Sequence, residues 1–124
     1  MGIELTLEGI TKTYGKVTAV NELAFTVKTG ELFALLGPSG AGKSTTINLI
    51  AGIEKPDKGD IRVGGQSIQH LRPQERDFAM VFESYALYPH LTVAGNMAFP
   101  LRAPSRATKY STAEIQKRVG ETAR

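Results

Sequence analysis

The sequence predicts an α/β fold, and three local patterns support this prediction. Residues 3–8 alternate between apolar and polar side chains, which is typical of a half-buried strand. Residues 31–36 end in a nearly continuous apolar run, as strands covered on both faces of a parallel sheet do. Glycines then punctuate residues 37–42, and a helix is predicted to begin near Lys43. A strand that continues through a glycine-rich loop into a helix is a recurrent unit of α/β proteins.

The first 30 residues are predicted to contain only strands and turns. After the strand at 3–8, a turn is expected at 12–16, because Gly15 can adopt the positive φ angles of tight turns. Two further strands and a closing turn are predicted at 17–20, 23–28 and 29–30.

The helix that begins near Lys43 is predicted to end at Ala51. Gly52 follows it, and glycine is the preferred residue where a helix stops in the left-handed conformation. Ile47, Ile50 and Ala51 are expected to form its apolar face. Beyond this helix the patterns predict a turn at 56–59, a hairpin at 60–68 and a polar connection at 72–77. A second buried strand at 78–82 and a short helix at 93–99 are predicted to follow.

Two serine or threonine residues mark predicted helix starts in the last third of the chain. Thr92 is expected to cap the helix at 93–99. Ser111 is expected to cap a final helix, and Glu114, three residues later, completes the pattern of a capping box. Tyr110 and Ile115 are predicted to form the hydrophobic staple around this start.

Composition and charge exclude several kinds of protein. The sequence has no Cys, which excludes disulfide scaffolds, Cys zinc sites and thiol catalysis. It has no run of 18 apolar residues, so we expect no direct membrane insertion. Residues 1–101 contain 9 Lys and Arg against 10 Asp and Glu, whereas residues 102–124 contain 6 against 2. The net positive charge therefore comes from the tail, and we expect no nucleic-acid partner.

One motif predicts the chemistry of the chain. Residues Gly37-Pro38-Ser39-Gly40-Ala41-Gly42-Lys43-Ser44, called the phosphate loop below, match G-x-x-x-x-G-K-[ST], and Thr45 follows them. Such glycines let backbone N–H groups surround a polyphosphate, and the following helix adds its positive dipole end. Lys43 is expected to reach the β- and γ-phosphates, and the Ser44 hydroxyl is expected to bind Mg²⁺. The motif therefore predicts a site for a nucleoside di- or triphosphate.

The surroundings of the phosphate loop extend this interpretation to a family. Tyr14 lies 23 residues before Gly37, and the segments 31–44, 52–59, 80–93 and 96–101 follow at characteristic spacing. Together they resemble the N-terminal part of an ABC-transporter nucleotide-binding subunit of the bacterial importer type. Residues 96–101 (Asn-Met-Ala-Phe-Pro-Leu) are most similar to importers of sugars and glycerophosphates.

The resemblance implies a fold and its subdivision. It implies a P-loop NTPase of the ABC ATPase type, with residues 1–124 as the N-terminal part of one nucleotide-binding domain. An antiparallel β-subdomain is expected at 1–30, and a partial parallel core, up to the loop that carries the family's Gln, at 31–91. The start of a helical subdomain is expected at 92–124.

The resemblance also implies cofactors and site residues. ATP and Mg²⁺ are the expected cofactors, with Tyr14 stacking on the adenine and Gly37 to Thr45 contacting the phosphates. Lys43 is the expected catalytic residue, and Ser44 and Glu83 are the expected Mg²⁺ ligands. The family has Gln where this sequence has Glu83. A solvent-facing Glu83 is the alternative, while a Walker-B-like role is disfavoured because that acid is typically Asp.

The implied function is ATP binding, and hydrolysis in the complete subunit, that powers solute import. The implied partners are membrane-spanning permease subunits and a second ATP-binding subunit, at the cytoplasmic face of the membrane. The family's signature, catalytic Glu and switch His are not among these 124 residues, so the chain alone is expected to be catalytically incomplete. The alternative is a truncated, non-catalytic nucleotide-binding module. A small kinase is disfavoured because it does not explain residues 80–101.

Overall fold

The computed structural model describes residues 3–82, 87–102 and 110–124, and the chain forms two compact units, residues 1–79 and 80–124. The first unit contains a four-stranded sheet and a helix. Its elements are β1 (Leu5–Tyr14), β2 (Val17–Val27), α1 (Lys43–Ala51), β3 (Lys58–Val63), β4 (Gln66–Ser67) and a 3₁₀ turn (Pro73–Glu75). The strand order is β2-β1-β3-β4, and each neighbouring pair is antiparallel.

The core of the first unit joins the sheet to α1. Leu49 of α1 is completely buried together with Leu7, Ile10 and Ile61 from the strands. Strict alternation along β1 would place residue 9 beside Leu7 on the buried face. The register shifts after Leu7 instead, so Ile10 takes that place. This bulge explains why the buried face of β1 departs from the period of two.

The predicted strands of the first 30 residues form, with longer bounds. β1 continues beyond residue 8 to Tyr14, so the first turn is confined to Gly15 and Lys16. The two strands predicted at 17–20 and 23–28 are one strand, β2. The polar residues between them form a bulge, in which Glu22 has a φ of 46° and its N–H donates to Thr11 Oγ1 over 3.0 Å. The predicted hairpin at 60–68 is confirmed as β3 and β4.

The strand predictions for 31–36 and 78–82 are wrong for the described chain. The described residues of both segments contain no strand, and the side chains of Leu32 and Leu36 are 98% and 88% exposed. Only antiparallel neighbours are present in the described sheet, and a strand exists only where another strand satisfies its backbone groups. Phe33 links the first segment to the sheet, since its ring stacks on Phe25 of β2 at a centroid distance of 4.7 Å.

The helix α1 has the predicted bounds but a different buried face. Gly52 ends it in the left-handed conformation, as predicted, and its N–H donates to the carbonyls of Asn48 and Leu49. Leu49 and Thr46 are the buried residues, whereas Ile47 is exposed. The predicted face therefore holds only in part, because the sheet contacts the side of the helix that carries Leu49.

The described residues of the second unit contain two helices whose starts agree with the sequence. α2 (Val93–Ala98) continues into a 3₁₀ turn (Phe99–Arg102), and α3 follows at Thr112–Thr122. Thr92 caps α2 by accepting from the Gly95 N–H, and Ser111 caps α3 by accepting from the Glu114 N–H. The Glu114 carboxylate lies 3.7 Å from Arg118. No helix in the described parts of the chain has the length and hydropathy needed to cross a bilayer.

Candidate functional site

The phosphate loop is held in place by β2. Gly42 has a φ of 84° and lies directly before α1. A Cβ atom at this position would come within 2.3 Å of the Ala19 carbonyl oxygen and 3.2 Å of Val20 Cγ2. Only glycine allows both the backbone conformation and this approach. The last glycine of the motif is therefore required for packing against β2.

The first turn of α1 presents unpaired N–H groups. The N–H of Thr46 donates to the Gly42 carbonyl over 2.9 Å, and its hydroxyl donates to the same oxygen over 2.7 Å. The N–H groups of Lys43, Ser44 and Thr45 precede this bond and have no acceptor within the helix. They point toward the N-terminal end of the helix dipole, where negative charge is stabilised. This end of α1 is therefore suited to bind an anion.

The ammonium group of Lys43 lies over the phosphate loop. Its Nζ donates to the Gly37 carbonyl, so that the side chain folds back across the loop. The loop is also closed by a hydrogen bond from the Ala41 N–H to the Pro38 carbonyl, with a length of 3.1 Å. The positive charge of Lys43 and the unpaired N–H groups thus belong to the same short stretch of chain.

An open cleft of about 270 Å³ lies beside the loop. Its walls come from three parts of the first unit, namely β2, the segment before the loop, and the start of α1. The lining residues are Ala19, Val20, Asn21, Leu23, Leu35, Leu36, Ala41, Gly42, Lys43 and Thr46. The only charged residue among them is Lys43, so the cleft combines polar and apolar surface with one cationic group. Sequence reasoning did not identify the wall from β2, because its contact with Gly42 is long-range.

Tyr14 lies at the end of β1, outside the lining of this cleft. It pairs with Val17 across the β1–β2 turn, and its side chain is 45% exposed. Lys12 Nζ lies 5.3 Å from the centre of the ring, within the range of a cation–π contact. β2 begins at Val17, directly after the turn that follows Tyr14, and its residue Ala19 contacts Gly42. β2 therefore connects this turn to the phosphate loop.

A polar network joins this end of β1 to the segment after α1. The Asp57 carboxylate accepts from the Thr13 N–H over 2.7 Å and from the Thr13 hydroxyl over 2.9 Å. Lys12 Nζ lies 3.9 Å from both Asp57 and Glu54. The hydrogen bonds from Thr13, followed by the charge of Lys12, hold the pKa of Asp57 below its ordinary value. The network fixes the strand end that carries Tyr14.

The predicted Mg²⁺ ligands divide into one described and one undescribed residue. Ser44 is exposed in the first turn of α1. Glu83 lies outside the described residues, so its predicted role stays a prediction. Among residues 3–82, 87–102 and 110–124, no cluster of three His, Cys, Asp or Glu side chains could hold a metal ion.

Comparison with known proteins gives the context of this site. The family model described as ABC transporter matches residues 20–123. The trehalose import ATP-binding protein SugC of Mycobacterium tuberculosis is 46% identical over 122 residues, which are 98% of this chain and 30% of that protein. The trehalose/maltose import ATP-binding protein MalK of Thermococcus litoralis is 47% identical, with 94% and 32% covered. This chain spans about a third of the length of these relatives.

Solved structures agree with the sequence relatives. The dimeric structure of MJ0796, a bacterial ABC transporter cassette, matches with a TM-score of 0.77 and 31% identity over 94% of this chain and 54% of that one. A bacterial Atm1-family ABC exporter with ATP bound matches with a TM-score of 0.69 and 29% identity, covering 77% of this chain and 17% of that one. These similarities confirm the predicted fold class.

Proposed function

This chain belongs to the ABC transporter family, and we propose that it binds ATP as part of a subunit whose ATP hydrolysis powers solute import. One observation carries the proposal. The unpaired N–H groups at the start of α1 and the ammonium of Lys43 belong to one short stretch of chain beside an open cleft. A polyphosphate supplies the negative charge that this end of the helix and the Lys43 ammonium favour.

In this proposal each residue of the loop has a defined task. Gly37 to Thr45 would surround the β- and γ-phosphates with backbone N–H groups. Lys43 would exchange its bond to the Gly37 carbonyl for charge-assisted bonds to phosphate oxygens, which are roughly twice as strong as neutral ones. During hydrolysis the same ammonium would stabilise the negative charge that develops on the transferred phosphoryl group, which is its catalytic role.

The base and the metal involve residues beyond the loop. Tyr14 is half exposed at the end of β1, and its ring would stack on adenine. The exposed hydroxyl of Ser44 would be one ligand of Mg²⁺, and Glu83 would supply a second. When bound, Mg²⁺ would neutralise part of the charge of the β- and γ-phosphates.

The proposed partners follow from the relatives. These are import ATP-binding proteins, and the related cassette MJ0796 is dimeric. We therefore assign this chain to a subunit that pairs with a second ATP-binding subunit. That pair would work with membrane-spanning permease subunits, as a peripheral assembly at the cytoplasmic face of the membrane.

Titration with a fluorescent ATP analogue tests nucleotide binding. Lys43→Ala should weaken affinity by about 10- to 100-fold, because a hydrogen bond to a charged group contributes about 1.5–3 kcal/mol. Lys117→Ala is the matched control, since Lys117 is an exposed lysine on α3 and should leave affinity unchanged. Equal affinities of the wild type and Lys43→Ala would refute the proposed site. Phosphate release from the same samples distinguishes a binding module from a chain that hydrolyses ATP.

A further inference from the structure

A buried arginine binds the C-terminal end of α1. Arg76 is only 7% exposed, although it belongs to the predicted polar connection at 72–77. Its Nη1 donates to the carbonyls of Leu49 and Ile50, each over 3.1 Å, and its Nε donates to the Leu71 carbonyl over 3.1 Å. One guanidinium group thus links the last turn of α1 to the chain that follows the β3–β4 hairpin.

This position suits a cation. The last carbonyls of a helix have no partner within it, and they carry the negative end of the helix dipole. Burial lowers the pKa of Arg76 from its ordinary value, because the charged form loses hydration. Guanidinium groups nevertheless stay charged in proteins, and three carbonyl acceptors replace the lost water. The bonds of Arg76 therefore depend on its charge as well as on its shape.

Gly52 is part of the same arrangement. A Cβ atom on Gly52 would lie 2.6 Å from Arg76 Nε and 2.8 Å from Arg76 Cζ. The space beside Gly52 is therefore filled by the guanidinium group, and the helix end is closed between these two residues. Sequence reasoning assigned Gly52 to the helix stop but gave Arg76 no role, because 24 positions separate them.

The opposite end of the same helix carries the phosphate loop. α1 has nine residues, and at about 1.5 Å per residue its two ends are only about 14 Å apart. Leu49 and Thr46 fix one face of it in the core. A short helix that is held on one face can still tilt or rotate about that face. A bond at the C-terminal end of α1 prevents this movement. A change at the C-terminal end would therefore displace Lys43 and its neighbours.

We propose that Arg76 is a positioning residue for the phosphate loop. By binding the C-terminal carbonyls of α1, it holds the helix at the tilt that presents Lys43 and the unpaired N–H groups to a polyphosphate. This inference rests on the proposed function, since it concerns the affinity of the same loop. It means that this affinity also depends on a contact at the other end of α1, far from the ligand.

The test compares three variants by titration with ATP, inorganic tripolyphosphate and adenosine, at a temperature where circular dichroism shows each to be folded. Arg76→Met removes the charge and keeps much of the length. Arg76→Lys keeps the charge but not the planar fork that reaches carbonyls on two segments. Arg72→Met is the control, because Arg72 is an exposed arginine of the same connection that pairs with Glu75.

Arg76→Met should weaken ATP and tripolyphosphate by the same factor, about tenfold, the low end of the losses found when a residue that orients a ligand group is removed. Adenosine affinity should be unchanged, Arg72→Met should match the wild type, and Arg76→Lys should lie between. A folded Arg76→Met that binds tripolyphosphate like the wild type overturns the inference. An equal loss of adenosine and tripolyphosphate affinity also overturns it, because a general structural defect affects both.

Two further readouts keep the test decisive. If Arg76→Met does not fold, Arg76→Lys decides: a folded variant should bind tripolyphosphate at least about threefold more weakly, and wild-type affinity refutes the inference. If the wild type binds neither ATP nor tripolyphosphate, the proposed function fails instead. The backbone amide resonances of Ser44 and Thr45 then still report positioning. They should shift in Arg76→Met and not in Arg72→Met, and unshifted resonances in Arg76→Met refute the inference that Arg76 positions the loop.

Discussion

Replacing Gly42 with Ala tests the contact between the phosphate loop and β2. The new Cβ would lie 2.3 Å from the Ala19 carbonyl oxygen, so the loop and the strand must separate. It would also impose a side chain on a backbone with a φ of 84°. The left-handed conformation costs roughly 1–2 kcal/mol for a residue with a Cβ, and overpacking typically adds about 1–3 kcal/mol. The free energy of unfolding should therefore fall by about 2–5 kcal/mol.

Gly40→Ala separates these two contributions. Gly40 has a φ of 83°, nearly the same as Gly42, but a Cβ there would meet no atom within 4 Å. It should cost only the conformational part, roughly 1–2 kcal/mol. In urea unfolding followed by circular dichroism, with a slope of about 1–3 kcal/mol per M, the midpoint of Gly42→Ala should lie roughly 0.5–2 M below that of Gly40→Ala. Coinciding midpoints would refute the argument that β2 positions the loop.

Two further predictions concern polar contacts of each unit. Thr13 and Lys12 lower the pKa of Asp57 below its ordinary 3.8, so the contribution of Asp57 to stability is complete above pH 3.8 and is lost as pH falls through the lowered pKa. Between pH 5 and pH 2, the urea midpoint should therefore fall less steeply for Asp57→Asn than for the wild type. Identical slopes would contradict this prediction. Asn96 accepts from the Tyr88 N–H over 2.8 Å and donates to the Leu91 and Thr92 carbonyls. Asn96→Ala should therefore raise hydrogen exchange of the Leu91 amide about fivefold, as expected for a loss of about 1 kcal/mol. Unchanged exchange would show that Asn96 does not stabilise this turn.

Features that depend on neighbouring residues were predictable from the sequence. Thr92 and Ser111 cap helices through N–H groups three residues later, so both cap and partner are visible in one short window. Gly52 ends α1 for a similarly local reason, since glycine adopts the left-handed conformation at no steric cost. The phosphate loop is also a contiguous motif. Its position between the apolar run at 31–36 and the start of α1 could be predicted without knowledge of the rest of the fold.

Features that depend on distant partners were not predictable. The apolar run at 31–36 has the composition of a buried strand, but strand formation requires pairing that the run itself does not specify. The contact of Ala19 with Gly42 joins positions 23 residues apart, as counted along the chain, and no local pattern indicates it. The burial of Arg76 was not predictable either, because arginine is rarely buried unless it is paired, and the acceptors at the end of α1 belong to another element.

The bond between Lys43 and the Gly37 carbonyl has a consequence for turnover. An ammonium group without an acceptor in a partly desolvated loop would be costly, and a site that relied on nucleotide for that acceptor would retain its product tightly. In the proposed function, the loop itself would offer a replacement oxygen when a phosphate departs. The free energy of product release would thereby be reduced, at the expense of some binding strength. A subunit that exchanges nucleotide repeatedly, as proposed here, would gain speed from such a reversible partner.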